Sequence, residues 1–394
     1  MKSLVFNQLL QVISYTKFQK IVKKYDGDKY KKTFSTWQHL KVMLYFQLSG
    51  RTSLRDLVTS LKSKSENLYH IGIGTVSRNN LSHKNKRSNS NIFQELYSEL
   101  LNTMLGKKMI QKRKKFKFKD ELKSFDSSTI SLCLEIYQWA KFRKTKAGIK
   151  MHTLLSNDYD VPEMITVTNA KVHDSKELWK IPIKVNTIYI FDRAYLCLKY
   201  LYSLTQNRSH FVMRMKSNTK YLTLKNFEVS DLNKSKGVIF DHKIKFTGSK
   251  KDDYPETLRH IRFKDATTGK IFNFITDRFD LSPFTISEIY KDRWKIELFF
   301  KKIKQNLRIK KFLGTSRNSV LIQIWIAMIA LLLFEWAKYI SKNTSMGLKE
   351  FLSHIHENLF TEKCLVGILN HEKNQKRQDM LDSTNQQLSF SLGH

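Results

Sequence analysis

The stretch SPFTISEIYKDRWKIELFFKKIKQNL, Ser282–Leu307, decides how the rest of the chain is read. Ser282 can N-cap a helix, and Pro283 fits the first turn, where its missing N–H costs nothing. No further Pro and no Gly follows, so the spacing predicts one helix through the stretch. At about 100° per residue, Tyr290, Arg293, Glu297 and Lys304 fall within roughly 60° of one another. Beside them Ile289, Ile296, Phe300, Ile303 and Leu307 form an apolar stripe. Such a helix packs on a core and carries an aromatic hydroxyl, a carboxylate and two cations along one edge. Spacing alone favours the plainer reading, a surface helix laced with ion pairs.

Composition narrows the choice. The 394 residues suffice for two or three domains. Seventy Lys and Arg against 35 Asp and Glu leave a formal charge of +35, which calls for a polyanionic partner, nucleic acid before an anionic membrane. The 26 Phe and 16 Tyr exclude a disordered basic tail, because they must be buried or stacked. Cys133, Cys197 and Cys364 form neither a disulfide framework nor a zinc pattern and suit a reducing cytosol. Asn7, Gln8 and Gln11 interrupt any secretory core near the N-terminus. The apolar run Val320–Phe334 is shorter than the ~20 residues of a membrane span and contains Gln323, so it reads as a buried core helix. These features predict a cytoplasmic protein without a membrane partner.

Upstream of about Leu105 the chain reads as helical. Ser35 caps a helix with Trp37, Leu40, Met43 or Leu44, and Leu48 on one face. Ser53 caps a second helix, and a polar basic helix follows Thr75. This order resembles a helix-turn-helix DNA reader, and equally a bundle that orients a catalytic domain. The basic run Gly106–Lys119 reads as a linker or an edge strand between domains that tracks a nucleic-acid backbone or stays solvated. Strand signals follow at Leu122–Leu132, Met151–Ser156 and Glu163–Thr168, the last two joined by the turn Asn157–Asp160. Asp174 can cap a short helix. Thr187–Phe191 is an apolar strand ending in Asp192, followed by a helix and the strand His210–Met215. Between Ser217 and Asp280, strands are expected at Val238–Phe246, Leu258–Phe263 and Ile271–Thr276. The tail after Glu372 is polar.

The spacing Tyr290-x2-Arg293-x3-Glu297-x6-Lys304 resembles the Tyr-Arg-Glu-Lys signature of bacterial transposases of the insertion-sequence-four group, DDE class. FDSST around Asp126 and IFDRAY around Asp192 resemble the two Asp motifs of that family, with Ala194 where Gly is commoner. Lys141–Ser156 and Phe312–Ser316 also look like family segments. The resemblance implies an α/β fold: an RNase H-like catalytic core in two parts, 119–216 and 282–372, interrupted by a β-rich insertion at 217–281. A helical N-terminal DNA-binding domain, 1–118, precedes it, and a polar tail, 373–394, follows.

The same resemblance makes Asp126, Asp192 and Glu297 the catalytic and metal-binding set, and gives Tyr290, Arg293 and Lys304 to DNA phosphates. A structural alternative for those three is neutralising the acids. Three gathered carboxylates repel and need a counter-charge. Mg²⁺, or Mn²⁺ in its place, suits oxygen ligands. Two ions about 4 Å apart can activate a water or a 3′-hydroxyl and stabilise the leaving oxygen. The implied activity is cut-and-paste transposition: cleavage of double-stranded DNA at the ends of the element and strand transfer into target DNA. A homodimer in the synapse and a nucleoid location go with it, and members of the family can pass through a hairpin at the element end. The rival readings are a catalytically inactive DNA-binding regulator and a structure-selective nuclease. His152 and His173 have no ligand spacing and read as polar strand residues.

Overall fold

A computed structural model describes residues 3–31, 33–249 and 251–370. The expected polar tail, 373–394, lies outside them. The chain divides into two compact units: Lys112–Lys301 is one, and the segments on either side of it make the other.

The flanking unit is helical. Helices α1 (Val5–Leu10), α2 (Tyr15–Lys24), α3 (Thr36–Leu48), α4 (Leu54–Lys62), α5 (Ser65–His70), α6 (Arg78–Arg87) and α7 (Asn91–Gly106) precede the sheet. Ser35 and Gln38 form a reciprocal capping box at α3, and Ser53 and Ser77 cap α4 and α6 through their side chains. The expected single buried face of α3 is too narrow. His39, Lys41 and Gln47 are buried with the apolar residues, because α3 packs against the long apolar helix described next. The Lys41 ammonium donates to the carbonyls of Ile71 and Gly72.

That long helix is α12, Arg317–Ser341, which follows α10 (Pro283–Asp292) and α11 (Trp294–Asn306) and precedes α13 (Leu348–Asn358). At 25 residues it exceeds the expected fifteen-residue run and is long and apolar enough to cross a membrane. Its most apolar window is instead 94% buried within the protein, and it packs on α3, α6 and α7. Gln323 is fully used there: it accepts from the Leu313 N–H (2.9 Å) and donates to the Lys311 carbonyl (2.8 Å). Ser316 caps the helix. In the preceding loop a Cβ on Gly314 would meet Ser319 at 2.6 Å.

The unit Lys112–Lys301 holds a ten-stranded sheet. Strands β1 (Glu121–Leu132), β2 (Lys141–Arg143), β3 (Lys146–Ser156) and β4 (Val161–Asn169) form one antiparallel part of it, with β1 and β4 on either side of β3. Next come β5 (Thr187–Phe191), helix α8 (Leu198–Gln206) and β6 (His210–Arg214). β5 runs parallel to β1, and β6 parallel to β5. Three antiparallel strands followed by two parallel ones across a helix is the RNase H-like order. The helix expected after Asp192 is split into a 3₁₀ turn, Arg193–Tyr195, and α8.

The β-rich stretch continues this sheet. β7 (Tyr221–Phe227), helix α9 (Asp231–Ser235), β8 (Val238–Phe246), β9 (Leu258–Lys264) and β10 (Ile271–Thr276) follow, and β10 pairs antiparallel with β6. β7 was not expected. It is an edge strand whose apolar side, Leu222 and Leu224, is exposed rather than turned to a core. One face of the sheet carries α8 over Phe125, Tyr189, Phe191 and Phe211. The other carries α10 over Ile188, Ile190 and Val212.

Candidate active site

Strand register places the first two acids. Phe125 is paired with Phe191 across the parallel β1–β5 ladder, so Asp126 and Asp192 are the next residues on adjacent strands. Asp126 lies on β1, and Asp192 leads the 3₁₀ turn that ends β5.

The third acid comes from the opposite end of the unit's sequence. The Ser282 stretch is two helices: Ser282 caps α10, which stops at Asp292, and α11 starts at Trp294. At the joint the Arg293 N–H bonds to Tyr290 O, and the Ile296 N–H to Arg293 O, each three residues back. This tight 3₁₀ step replaces the expected unbroken helix. A tertiary anchor accompanies it. Asn157, in the β3–β4 turn, donates to the Asp292 carbonyl (3.0 Å) and carboxylate (2.8 Å), and Lys295 donates to the Asn157 carbonyl (2.9 Å). The stripe residues Ile289, Ile296, Phe300, Ile303 and Leu307 are all buried, as expected.

From this joint Tyr290 donates its hydroxyl to Asp192 (3.0 Å). Arg293 reaches Glu297 Oε1 at 2.8 Å and Asp126 Oδ2 at 3.5 Å, and its guanidinium lies 5.5 Å from the Tyr290 ring centre. Five of the six expected residues therefore gather in one place. Lys304 lies past the boundary at residue 301 and belongs to the helical unit. There burial, with Lys310 nearby, pushes its ammonium below the ordinary range.

Asp126 is also held from residues the sequence did not single out. The Ser127 N–H donates to its Oδ1 (2.8 Å), as does the Tyr195 hydroxyl (3.3 Å). Ser127 Oγ in turn donates to Asp174 (2.9 Å), which Lys150 approaches at 3.1 Å. Ser127 and Tyr195 lie inside the two Asp motifs, so the motifs marked them without showing their direction. Asp174 is not the expected cap of the 3₁₀ helix Asp174–Lys180; His173 caps it, accepting from the Ser175 N–H. His152 is buried, bonded to Thr168 (2.9 Å), and lowered by burial to about 4, so it stays neutral.

The electrostatics lean negative. Burial raises the Asp126 carboxyl from 3.8 to about 6, and the Glu297 and Asp192 charges add to the rise against the Ser127 N–H and Arg293. Burial also pushes the Tyr290 and Tyr195 hydroxyls up, so both stay protonated donors. One guanidinium serves these acids, and its buried Nε has no hydrogen-bond partner. Among the described residues no three acidic, His or Cys side chains already close around one point. Arg293 stands between Asp126 and Glu297 in the place of a counter-ion. The donor set is oxygen only and short of positive charge, which fits a hard divalent cation. Such an arrangement can hold a metal against a phosphodiester.

Comparison with known proteins bears on the family of the chain. Residues 117–333 match a family model described as "Transposase DDE domain", and residues 1–74 match a domain of unknown function. The transposase y4zB of Sinorhizobium fredii is 30% identical over 249 residues, covering 63% of this chain and 69% of its own. A transposase for insertion sequence element IS5377 of Geobacillus stearothermophilus is 28% identical over 265 residues, covering 66% and 68%. A piggyBac transposase, solved as a synaptic complex with hairpin DNA, superposes with a TM-score of 0.49 at 10% identity, over 95% of this chain and 82% of that one. With more than half of its length matched by the family model, this chain belongs to the DDE-domain transposases.

Proposed function

We propose that this DNA transposase cuts and joins DNA with Asp126, Asp192 and Glu297. The observation that carries the reading is the β1–β5 register, which sets Asp126 beside Asp192, with the α10–α11 joint bonded to both and to Glu297. These three carboxylates would hold Mg²⁺ or Mn²⁺, as two ions. Bound there, the metal supplies an activated water or 3′-hydroxyl and stabilises the leaving 3′ oxygen.

The chain's own groups prepare that chemistry. Ser127 and Tyr195 fix one oxygen of Asp126, and Tyr290 fixes Asp192, so the carboxylates are oriented before substrate arrives. Arg293 neutralises Asp126 and Glu297 until DNA comes. A phosphate then offers its fork a bidentate partner. Lys304 adds a cation along the DNA. The +35 chain holds the duplex by phosphate contacts, as a homodimer in the synapse at the nucleoid. The N-terminal helices recognise the element ends.

The test is Mg²⁺-dependent cleavage of a duplex carrying the element end, followed by transfer into a target plasmid. Cleavage and joined product are expected from the wild type and neither from Asp192→Asn. Cleavage without any joined product would favour a nuclease.

A further inference from the structure

Among the described residues, the clefts in the unit Lys112–Lys301 include two of similar size. One has Tyr290 and Arg293 in its wall and belongs to the site already described. The other, about 730 Å³, lies on the α8 side. Its lining includes Leu196–Lys199, which follows directly on Asp192 and Tyr195, and Lys216–Lys220, which follows β6. The ends of the two parallel strands β5 and β6 thus lead into it.

Two features of this cleft point to a ligand. Lys176, Lys199, Lys216 and Lys220 line it against a single acid, Asp253, which lies 3.8 Å from Lys199. Trp179 also lines it and is 59% exposed, although its neighbours Leu178 and Ile181 are buried in the core. The ring is therefore held by its backbone, not tucked away. Tyr200 meets it edge-on, at 5.4 Å and 83°, a contact that uses at most one face of the indole. A rigid exposed aromatic among cations matches how proteins hold unpaired nucleic acid: phosphates on the lysines, a base on the ring. In a duplex the base faces are covered by their neighbours, so the indole would find nothing to stack on.

We propose that this cleft is a groove for a single-stranded segment of DNA, with Trp179 as its stacking platform and the four lysines as its phosphate contacts. It rests on the reading that Asp126 and Asp192 mark the point of cleavage. The segment is the strand that leaves that point on the α8 side once it is unpaired.

The test uses the full chain in metal-free buffer with a labelled strand of about 12 nucleotides, within the ~4–16 of such sites, and the same sequence as a duplex. Trp179→Ala should weaken single-strand binding about tenfold and leave duplex binding within about twofold, and Trp179→Phe should keep most of the affinity. Lys199→Gln with Lys220→Gln should lower the slope of log affinity on log salt by about 1.4 for the single strand, at ~0.7 per contact. Thermal unfolding of each variant checks its fold, and Trp179→Phe and the lysine pair decide the matter should Trp179→Ala not fold. Unchanged single-strand binding by Trp179→Ala overturns the proposal. Equal losses on both DNAs overturn it in favour of a duplex backbone. Element-end cleavage is scored separately: a wild type that binds but never cuts sinks the catalytic reading and leaves the groove measurement standing.

Discussion

Of the arginine–carboxylate clusters in the sheet unit, two are built to opposite rules. Arg259 on β9 forks onto Asp241 on β8, with Nε at 2.9 Å and Nη2 at 2.6 Å, and its Nη1 donates to the carbonyls of Arg278 and Leu281. One cation meets one anion, both are buried, and every guanidinium nitrogen is used. Arg293 serves Asp126 and Glu297 with Asp192 nearby, leaves its Nε unpaired, and touches Asp126 only at 3.5 Å. The first cluster is closed and the second is short of positive charge. A balanced pair has nothing left to offer a ligand, whereas an unbalanced one stores a demand for cation.

The sharpest way to break this contrast is to neutralise the acids one at a time. Asp126→Asn, Asp192→Asn and Glu297→Gln should each lower element-end cleavage by ~10³-fold or more, with fold and gel-shift binding retained. The triple variant should be hardly worse than any single one, because the three act as a unit. Any one of them cutting at the wild-type rate removes that residue from the site.

The closed pair should behave in reverse. Asp241→Asn leaves Arg259 buried without its anion and should cost about 3–5 kcal/mol, read from urea unfolding. Arg293→Gln should cost far less, since it relieves no balanced pair. Equal losses would erase the distinction.

pH separates the clusters further. Asp126 titrates higher in the native state than in the unfolded chain, so between about pH 4 and 6 the native state keeps a proton the unfolded chain has lost. Stability of the metal-free protein should therefore fall as pH rises through that window. At about 1.36 kcal/mol per pH unit the loss reaches up to about 3 kcal/mol. Asp126→Asn should flatten the slope, and Mg²⁺ at pH 7 should restore stability to the wild type. A wild-type profile as flat as the variant's would mean that Asp126 is not under that pressure.

The smallest effect concerns phosphate. If Arg293 leaves its acids for DNA, Arg293→Gln should reduce the salt slope of duplex binding by about 0.9, one phosphate contact. An unchanged slope would leave Arg293 a neutraliser of acids alone.

How legible was this site beforehand? Asp126, Asp192 and Glu297 could be picked out because motif spacing survives any folding detail. The adjacency of β1 and β5 was expected through the family resemblance, because only Thr187–Phe191 is an apolar run, whereas Lys123 and Ser124 interrupt the approach to Asp126. The break at Arg293 was illegible, since no Pro or Gly marks it and the step is anchored by Asn157, 135 residues away in sequence. The same holds for Asp174, whose link to Ser127 spans 47 residues. β7 does alternate, Leu222 and Leu224 against Thr223 and Lys225, but both leucines are exposed, so the pattern marks no core-facing side. α12 outgrew its apolar run because Glu335 and Lys338 are buried as a pair at 3.3 Å, a partnership composition cannot announce.

The place of α12 in the chain has a consequence for how the protein is made. Its packing partners α3 and α7 leave the ribosome long before it, and the whole sheet unit is translated in between. At ~5–20 residues per second, the roughly 200 residues from α7 to α12 take about 10–40 s to synthesise. During that time the apolar sides of α3 and α7 have no α12 to cover them, while Lys112–Lys301 is already a continuous piece able to fold. The helical unit is thus the last part to be finished, and the nascent chain is most open to chaperones and proteases over that interval.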